Sequence, residues 1–253
     1  MDLLELSKNT VALGLEKLSS LDKENFKDFK FSQSVSREIK AEADLVIEKL
    51  LIEELSKSGL SIFSEEIGLI KSKKKSNLRF IVDPIDGTVN FLRGINECSI
   101  SVALFDNEKP IFGVIGSYPS CLISWGGKDI GAFFGGQPII VSSIKDINKG
   151  ILCTGFPSRF NFTSNSIQEQ VFLMESFNKV RMLGSASQSL LKLAQGSVEA
   201  YYEKSIMIWD IAAGIAIVEG AGGKYSISSI QDLKYPLEVF ATNNLVKMPS
   251  KKI

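Results

Sequence analysis

The chain has 253 residues, 44% hydrophobic and 23% charged, ordinary proportions for a soluble globular protein with ample length for a core. Lys+Arg and Asp+Glu both number 29, so the formal net charge is zero, and nothing in that balance points to nucleic acid or an anionic membrane as the main partner. There is no histidine, which excludes Ser-His-Asp and Cys-His catalysis, His-ligated zinc and histidine general bases, and leaves any chemistry to carboxylates, hydroxyls, lysines or a metal.

Leu3, Leu6, Val11, Leu15 and Leu18 recur at helical spacing and predict an amphipathic helix over residues 3–21. The start, Met1-Asp-Leu-Leu-Glu, carries acids where a signal peptide carries cations, and does not read as one. Asp22 to Ser36 is polar, with Phe26, Phe29 and Phe31 near alternate spacing; it reads as a loop or a short strand, with a mobile flap as one use of it. A second helix is predicted over Arg37 to Ser58, with Ile39, Ala43, Ile47, Leu51 and Leu55 on its apolar stripe and Gly59 ending it. Ser61-Ile-Phe63 is a short strand followed at once by Glu65-Glu66, and the lysines of 71–75 make a solvated loop. Phe80-Ile81-Val82 is a buried strand that Pro84 and Gly87 end in a turn. Strands over 98–105, 111–117, 122–125 and 131–134 continue as a β-meander.

After Pro138 strands alternate with helices: strand 151–154, helix 165–179, strand 180–183, helix 185–195 capped by Gly196, strand 198–203 and helix 209–220. The change of pattern near 137–149 divides the chain into an N-terminal α+β half, 1–140, and a C-terminal α/β half, 141–253, within one compact unit. No apolar run approaches the ~20 residues needed to cross a bilayer, so no membrane role is expected. Cys98, Cys121 and Cys153 are odd in number, widely spaced and set in apolar surroundings; they read as buried free thiols in a reducing compartment, and the protein as cytoplasmic.

Three acidic spots sit at the ends of apolar elements: Glu65-Glu66, Asp83 with Asp86, and Asp210. Each has an ordinary explanation. Asp83 and Asp86 suit an Asx-type turn with both acids in water, and Asp210 suits a helix cap. Taken together they change the reading, because strand ends and helix starts of an α/β fold converge on one sheet edge where ligands bind. Acids from all three spots gathered there would repel one another, and hard divalent cations would relieve the repulsion; all-oxygen ligation fits Mg²⁺ and argues against zinc. Gly87 and Thr88 offer backbone N–H groups beside the acids, where a helix start would attract a phosphate.

The segment Asp83-Pro-Ile-Asp86-Gly87-Thr88-Val-Asn90-Phe91 resembles the signature of the inositol monophosphatase family. Trp209-Asp210-Ile-Ala-Ala-Gly214 with Glu219-Gly-Ala-Gly-Gly223 is similar to its second signature, Ser64-Glu65-Glu66 to its acidic pair, and Gly184-Ser185-Ala186 to its substrate-side turn. The Gly-rich stretch from Gly131 to Pro138 is similar to the family's midpoint. These matches run in order from about residue 38 to 223.

The resemblance implies a layered αβαβα sandwich of the sugar phosphatase type, that of inositol monophosphatase and fructose-1,6-bisphosphatase. It implies Mg²⁺-dependent hydrolysis of a small phosphorylated sugar or cyclitol, most directly inositol monophosphate, in a Li⁺-sensitive homodimer. One Mg²⁺ would be held by Glu65, Asp83 and the carbonyl of Ile85, the other by Asp83, Asp86 and Asp210; a third, weaker ion would lean on Glu65 through waters. Thr88, paired with Asp44, would orient the attacking water, and the N–H groups of Gly87 and Thr88 would hold the phosphate. Glu203 and Ala186, with Asp210, would line the substrate pocket. Read without the family, Asp44 is a solvated helix acid and Glu203 suits a surface ion pair as well as a sugar contact. Glu38, Ala41 and Gln33 stand where the family has aspartate, threonine and a flap lysine; these departures fall on the third metal and the flap, and leave the two-metal core complete.

Fructose 1,6-bisphosphate, NADP and 3′-phosphoadenosine 5′-phosphate are the alternative substrates on the same fold. A regulatory protein contacting RNA or the transcription machinery is the alternative of another class, against which the zero net charge and the single lysine run argue.

Overall fold

A computed structural model describes residues 1–25, 31–35, 38–72, 75–228 and 235–249, with the side chains of 22–25, 31–35 and 38–41 left aside. The chain opens with α1 (Leu3–Asn25), the paired strands β1 (Phe31–Val35) and β2 (Glu38–Ala41), and α2 (Glu42–Ser56). It continues through β3 (Ser61–Ser64), β4 (Gly68–Ile70), β5 (Leu78–Asp86) and the short helix α3 (Thr88–Arg93). The meander follows as β6 (Cys98–Asp106), β7 (Lys109–Tyr118), β8 (Leu122–Gly127), β9 (Gly131–Phe134) and β10 (Gln137–Pro138). The rest comprises β11 (Ile151–Thr154), α4 (Ser164–Glu175), β12 (Lys179–Arg181), α5 (Ala186–Ala194), β13 (Ala200–Ile206), α6 (Ile208–Gly220), β14 (Lys224–Ile227) and β15 (Leu237–Thr242).

Strands β3 to β10 form one eight-stranded sheet, ordered β10-β9-β8-β7-β6-β5-β3-β4, in which only β3 and β5 run parallel. A mixed five-stranded sheet, β12-β11-β13-β15-β14, holds the later strands. The period of two along a strand sorts its side chains between two faces. Phe80, Val82, Val102, Leu104 and Val114 pack with α1 and α2 on one face of the large sheet. Ile81, Ala103, Phe105 and Ile115 pack on the other face with α5, α6 and one face of the small sheet. Leu152, Ala200 and Tyr202 on the far face of the small sheet meet Leu173 of α4. The layers therefore read α, β, α, β, α, the sandwich expected from the sequence. Helix α6 can be buried on every side because it is apolar nearly all round. Gly113 lets it approach the large sheet closely: a Cβ there would lie 2.2 Å from the carbonyl oxygen of Ala213.

Three local expectations change. Helix α2 begins at Glu42 instead of Arg37, because Glu38–Ala41 pairs antiparallel with β1 and its backbone hydrogen bonds go there. Strand β5 does not stop at Pro84; it runs on to Asp86 through a bulge, where a residue without an N–H is tolerated. Cys98 and Cys153 are buried and in no disulfide, as expected, but Cys121 is exposed, at positive φ in the turn between β7 and β8. The Phe26 and Phe29 part of the expected flap, and Lys73 and Lys74 of the lysine run, lie outside the described residues, as do the side chains of Phe31, Gln33, Glu38 and Ala41.

Candidate active site

The bulge in β5 builds the centre of the site. Asp83 lies opposite Ser101 and Asp86 opposite Ser99, so three steps along β5 match two along β6. Residues two apart on a strand share a face. The extra residue therefore turns two acids with an odd separation to the same side, toward α5 and α6. Gly87 then leaves the strand at φ +86° and starts α3; a Cβ there would sit 2.8 Å from the carbonyl oxygen of Glu97.

Asp210 reaches the same place from the first turn of α6. One carboxylate oxygen each of Asp83, Asp86 and Asp210 lie within 4.8 Å of one another. Each acid is anchored by backbone. Asp83 Oδ1 accepts from the Ile85 N–H at 3.1 Å, and Asp210 Oδ2 accepts from the Met207 N–H at 3.0 Å. Asp86 Oδ2 accepts from Ser185 Oγ at 2.6 Å, from the Ser187 N–H at 2.7 Å and from Ser187 Oγ. Its Oδ1 takes a longer bond, 3.3 Å, from the Ala186 N–H. The N-terminus of α5 thus faces Asp86, and Ser185 both caps that helix through the Gln188 N–H and holds the acid. Asp83 Oδ2 is buried with no hydrogen-bond donor. Such an oxygen is costly to keep unless a cation faces it.

The electrostatics follow from this crowding. Burial, then the charges of Glu65, Asp86, Asp210 and Asp44, push Asp83 well above the ordinary carboxylate range. Burial, then Asp210, Asp44 and Glu66, do the same to Glu65. Burial and Asp86 push Asp210 up to about 7, with the Met207 N–H and Arg159 pulling the other way. Burial raises Asp86, offset in part by Ser185, Ser187 and Ala186. Burial, then Asp210 and Asp86, push Glu203 up to about 8. The acids behave as one strained group whose repulsion a divalent cation would relieve.

Every candidate named from the sequence lies at or beside one cleft of about 400 Å³. Glu65, Asp86, Gly87, Thr88, Glu203 and Asp210 line it, together with Ala186. Glu65 stands outside the tight trio of acids, and Asp83 is buried and does not line the cleft itself. The Ile85 carbonyl accepts from Thr88 Oγ1 at 3.0 Å, and Asp44 Oδ1 accepts from the same hydroxyl at 3.1 Å. Asp44 is 1% exposed, which corrects its reading as a solvated helix acid. Glu203 is 8% exposed, which corrects its reading as a surface ion pair.

The sequence reading missed four contributors. Ser187 completes the shell of Asp86. Asn90 donates from Nδ2 to the carbonyls of Glu97 and Leu183, both at 2.7 Å, and ties α3 to the segment before α5. Phe156 and Arg159 line the same cleft from the loop after β11. Of these, Asn90 had a local signal, its place in the segment Asp83 to Phe91 that resembles the family signature.

Ser185→Ala removes a cap and a charge-assisted bond together. It is expected to lower stability by roughly 1–3 kcal/mol, read as a shift of the denaturant midpoint at unchanged slope. No shift would mean that the Ser187 contacts alone hold Asp86.

Comparison with known proteins agrees with the geometry. The inositol monophosphatase family profile matches residues 4–248. The Nus factor SuhB of Xylella fastidiosa is 32% identical over 186 residues, 72% of this chain and 66% of that protein. The fructose-1,6-bisphosphatase/inositol-1-monophosphatase of Aquifex aeolicus is 31% identical over 234 residues, 88% of this chain and 85% of that one. The crystal structure of the extragenic suppressor protein suhB from Bartonella henselae superposes with a TM-score of 0.87 at 27% identity, covering 97% of this chain and 95% of that one. The chain belongs to the inositol monophosphatase family, a family of metal-dependent phosphatases of small phosphorylated substrates.

Proposed function

We propose that the protein hydrolyses a small phosphate monoester, inositol monophosphate first among candidates, with Mg²⁺ as its cofactor. The observation that carries this is the trio Asp83, Asp86 and Asp210, three carboxylate oxygens within 4.8 Å at a cleft wall formed by Gly87 and Thr88. The residues fit a hard cation. Their donors are all oxygens, and Asp83 keeps a buried oxygen without a donor. Glu65, Asp83 and the Ile85 carbonyl would hold one ion; Asp83, Asp86 and Asp210 would hold the other. Two bound ions would supply a water acidic enough to attack and charge relief on the phosphoryl and leaving oxygens.

The protein's own groups do the positioning. The Thr88 proton is committed to Asp44 and the Ile85 carbonyl, so Thr88 Oγ1 meets a water in the cleft only as an acceptor. That fixes which way the water's proton points. The backbone N–H groups of Gly87 and Thr88 are the phosphate donors in this reading. Glu203, held near 8 by burial and its acidic neighbours, offers a donor or an acceptor to a substrate hydroxyl. We also propose a cytoplasmic homodimer. Light scattering giving the mass of one chain would overturn that assembly.

The test is phosphate release from inositol 1-phosphate with Mg²⁺ and with EDTA, run beside fructose 1,6-bisphosphate, NADP and 3′-phosphoadenosine 5′-phosphate. The expected outcome is the highest kcat/KM on inositol 1-phosphate and no turnover in EDTA. Turnover that survives EDTA would sink the metal mechanism. The similarity to a protein named a Nus factor supports a second reading, a binding role separate from hydrolysis. It predicts that a variant dead in hydrolysis still supports cellular function.

A further inference from the structure

We infer that Glu48 is a positioning residue for Glu65, and that α2 braces both sides of the site through one buried acidic face. Asp44 and Glu48 lie one helical turn apart on α2, 1% and 0% exposed. Asp44 accepts from Thr88. Glu48 Oε1 accepts from the N–H groups of Glu66 and Ile67, both at 3.1 Å. Those amides belong to the three-residue loop 65–67 that joins β3 to β4, closed by the Ser64–Gly68 pair and by Gly68 at φ +79°. Glu65 is the first residue of that loop.

A fully buried carboxylate needs a reason to be there. Glu48 does not line the cleft, so it does not act on substrate directly. Its Oε1 satisfies two loop amides with charge-assisted bonds, while Oε2 is buried without a donor. A neutral, apolar side chain would fill the same space at lower electrostatic cost. What it could not do is fix the loop. The rigid spacing between residues 44 and 48 then adds a side-chain link between Thr88 and Glu65 to the one that the parallel pairing of β3 with β5 already provides. The water-orienting pair and a metal ligand share one support.

This rests on the reading of Glu65 as a metal ligand, and the test separates the two. Mg²⁺ binding is measured by titration calorimetry on metal-free protein, with far-UV circular dichroism to confirm the fold. Glu48→Met keeps the volume and removes the acceptors. It is expected to weaken Mg²⁺ binding at least about tenfold, the scale of lost outer-shell support around metal ligands. Glu48→Gln, whose amide oxygen still accepts both N–H groups, is expected to stay within a few-fold of the wild type. Adding Glu48→Met to Glu65→Gln is expected to weaken binding no further than Glu65→Gln alone, because the first acts through the second. Wild-type affinity in Glu48→Met, or effects of the two substitutions that multiply, would overturn the inference. Wild-type affinity in Glu65→Gln would overturn the ligand reading instead. If Glu48→Met does not fold, amide exchange in the wild-type protein decides: the Glu66 and Ile67 amides are expected to exchange slowly, and fast exchange of both removes the brace.

Discussion

Asp83→Asn is expected to abolish phosphate release, by at least about a thousandfold, while raising the melting temperature of the metal-free protein at high pH, where Asp83 is ionised. The two effects have one cause. Asp83 is the acid shared by both proposed ion sites, and the charges of Glu65, Asp86, Asp210 and Asp44 all act on it. Its Oδ2 is buried without a donor. At a pH high enough to ionise Asp83 an asparagine removes one charge from the cluster, and at any pH it can turn N–H groups toward the remaining carboxylates. Repulsion falls, so the metal-free fold gains stability. The ion sites lose their common ligand, so Mg²⁺ no longer stabilises the protein and hydrolysis stops. Calorimetry in EDTA and in Mg²⁺, beside a phosphate-release assay, reads both halves. Activity near wild type would remove Asp83 from the mechanism; a lower metal-free melting temperature would mean that packing outweighs repulsion at this site. Loss of function with gain of stability is the signature of a strained site, in contrast to a core residue whose loss lowers both.

The metal-free protein is expected to lose stability as pH rises, and Mg²⁺ to restore it most at high pH. The sign comes from the direction of the shifts. In the unfolded chain these carboxyls release their protons at about pH 4, at ordinary carboxylate values. In the fold Asp210 holds its proton up to about 7 and Glu203 up to about 8, while Glu65, Asp83 and Asp86 are also raised. Between those limits the native state binds more protons than the unfolded state, so stability falls with rising pH. The contribution is complete below the unfolded values and gone above the folded ones. Metal binding runs the other way, because the ions require the deprotonated ligands. In EDTA the melting temperature is expected to be higher at about pH 5.5 than at about pH 8.5, and the Mg²⁺-induced rise to be larger at the higher pH. Asp83→Asn should flatten the EDTA profile, since it removes one of the coupled charges. A melting temperature that climbs with pH in EDTA would contradict the raised carboxyls.

Much of the fold was legible because secondary structure is a local property of periodicity. The helix over 3–25 extends the predicted stripe by one turn, and the meander, α5, β13 and α6 lie within a few residues of their predicted bounds. Where the reading failed, a distant partner decided. Residues 38–41 carried a helical pattern but pair with β1. The helix predicted to Lys179 ends at Glu175 because the backbone from Lys179 to Arg181 joins β11 as a parallel strand. The short β4 and the closing strands β14 and β15 were not predicted, since they are completed by neighbours far along the chain or across a tight loop.

The sequence by itself determined the chemical vocabulary: no histidine, three acidic spots at element ends, a threonine and a glycine beside them, and motif order that resembles one family. These are properties of residue identity and spacing, and folding cannot alter them. Only the tertiary structure decided geometry. A one-residue bulge in β5 put Asp83 and Asp86 on one face. The start of α5 saturated one oxygen of Asp86, Met207 took one of Asp210, and one oxygen of Asp83 was left without a donor. Asp44 and Glu203, ordinary surface acids by composition, became buried parts of the site. The reason is physical. Which face an acid presents, and which lone pairs remain free, depends on partners about a hundred residues away in the case of Asp86 and Ser187, and no local pattern encodes them.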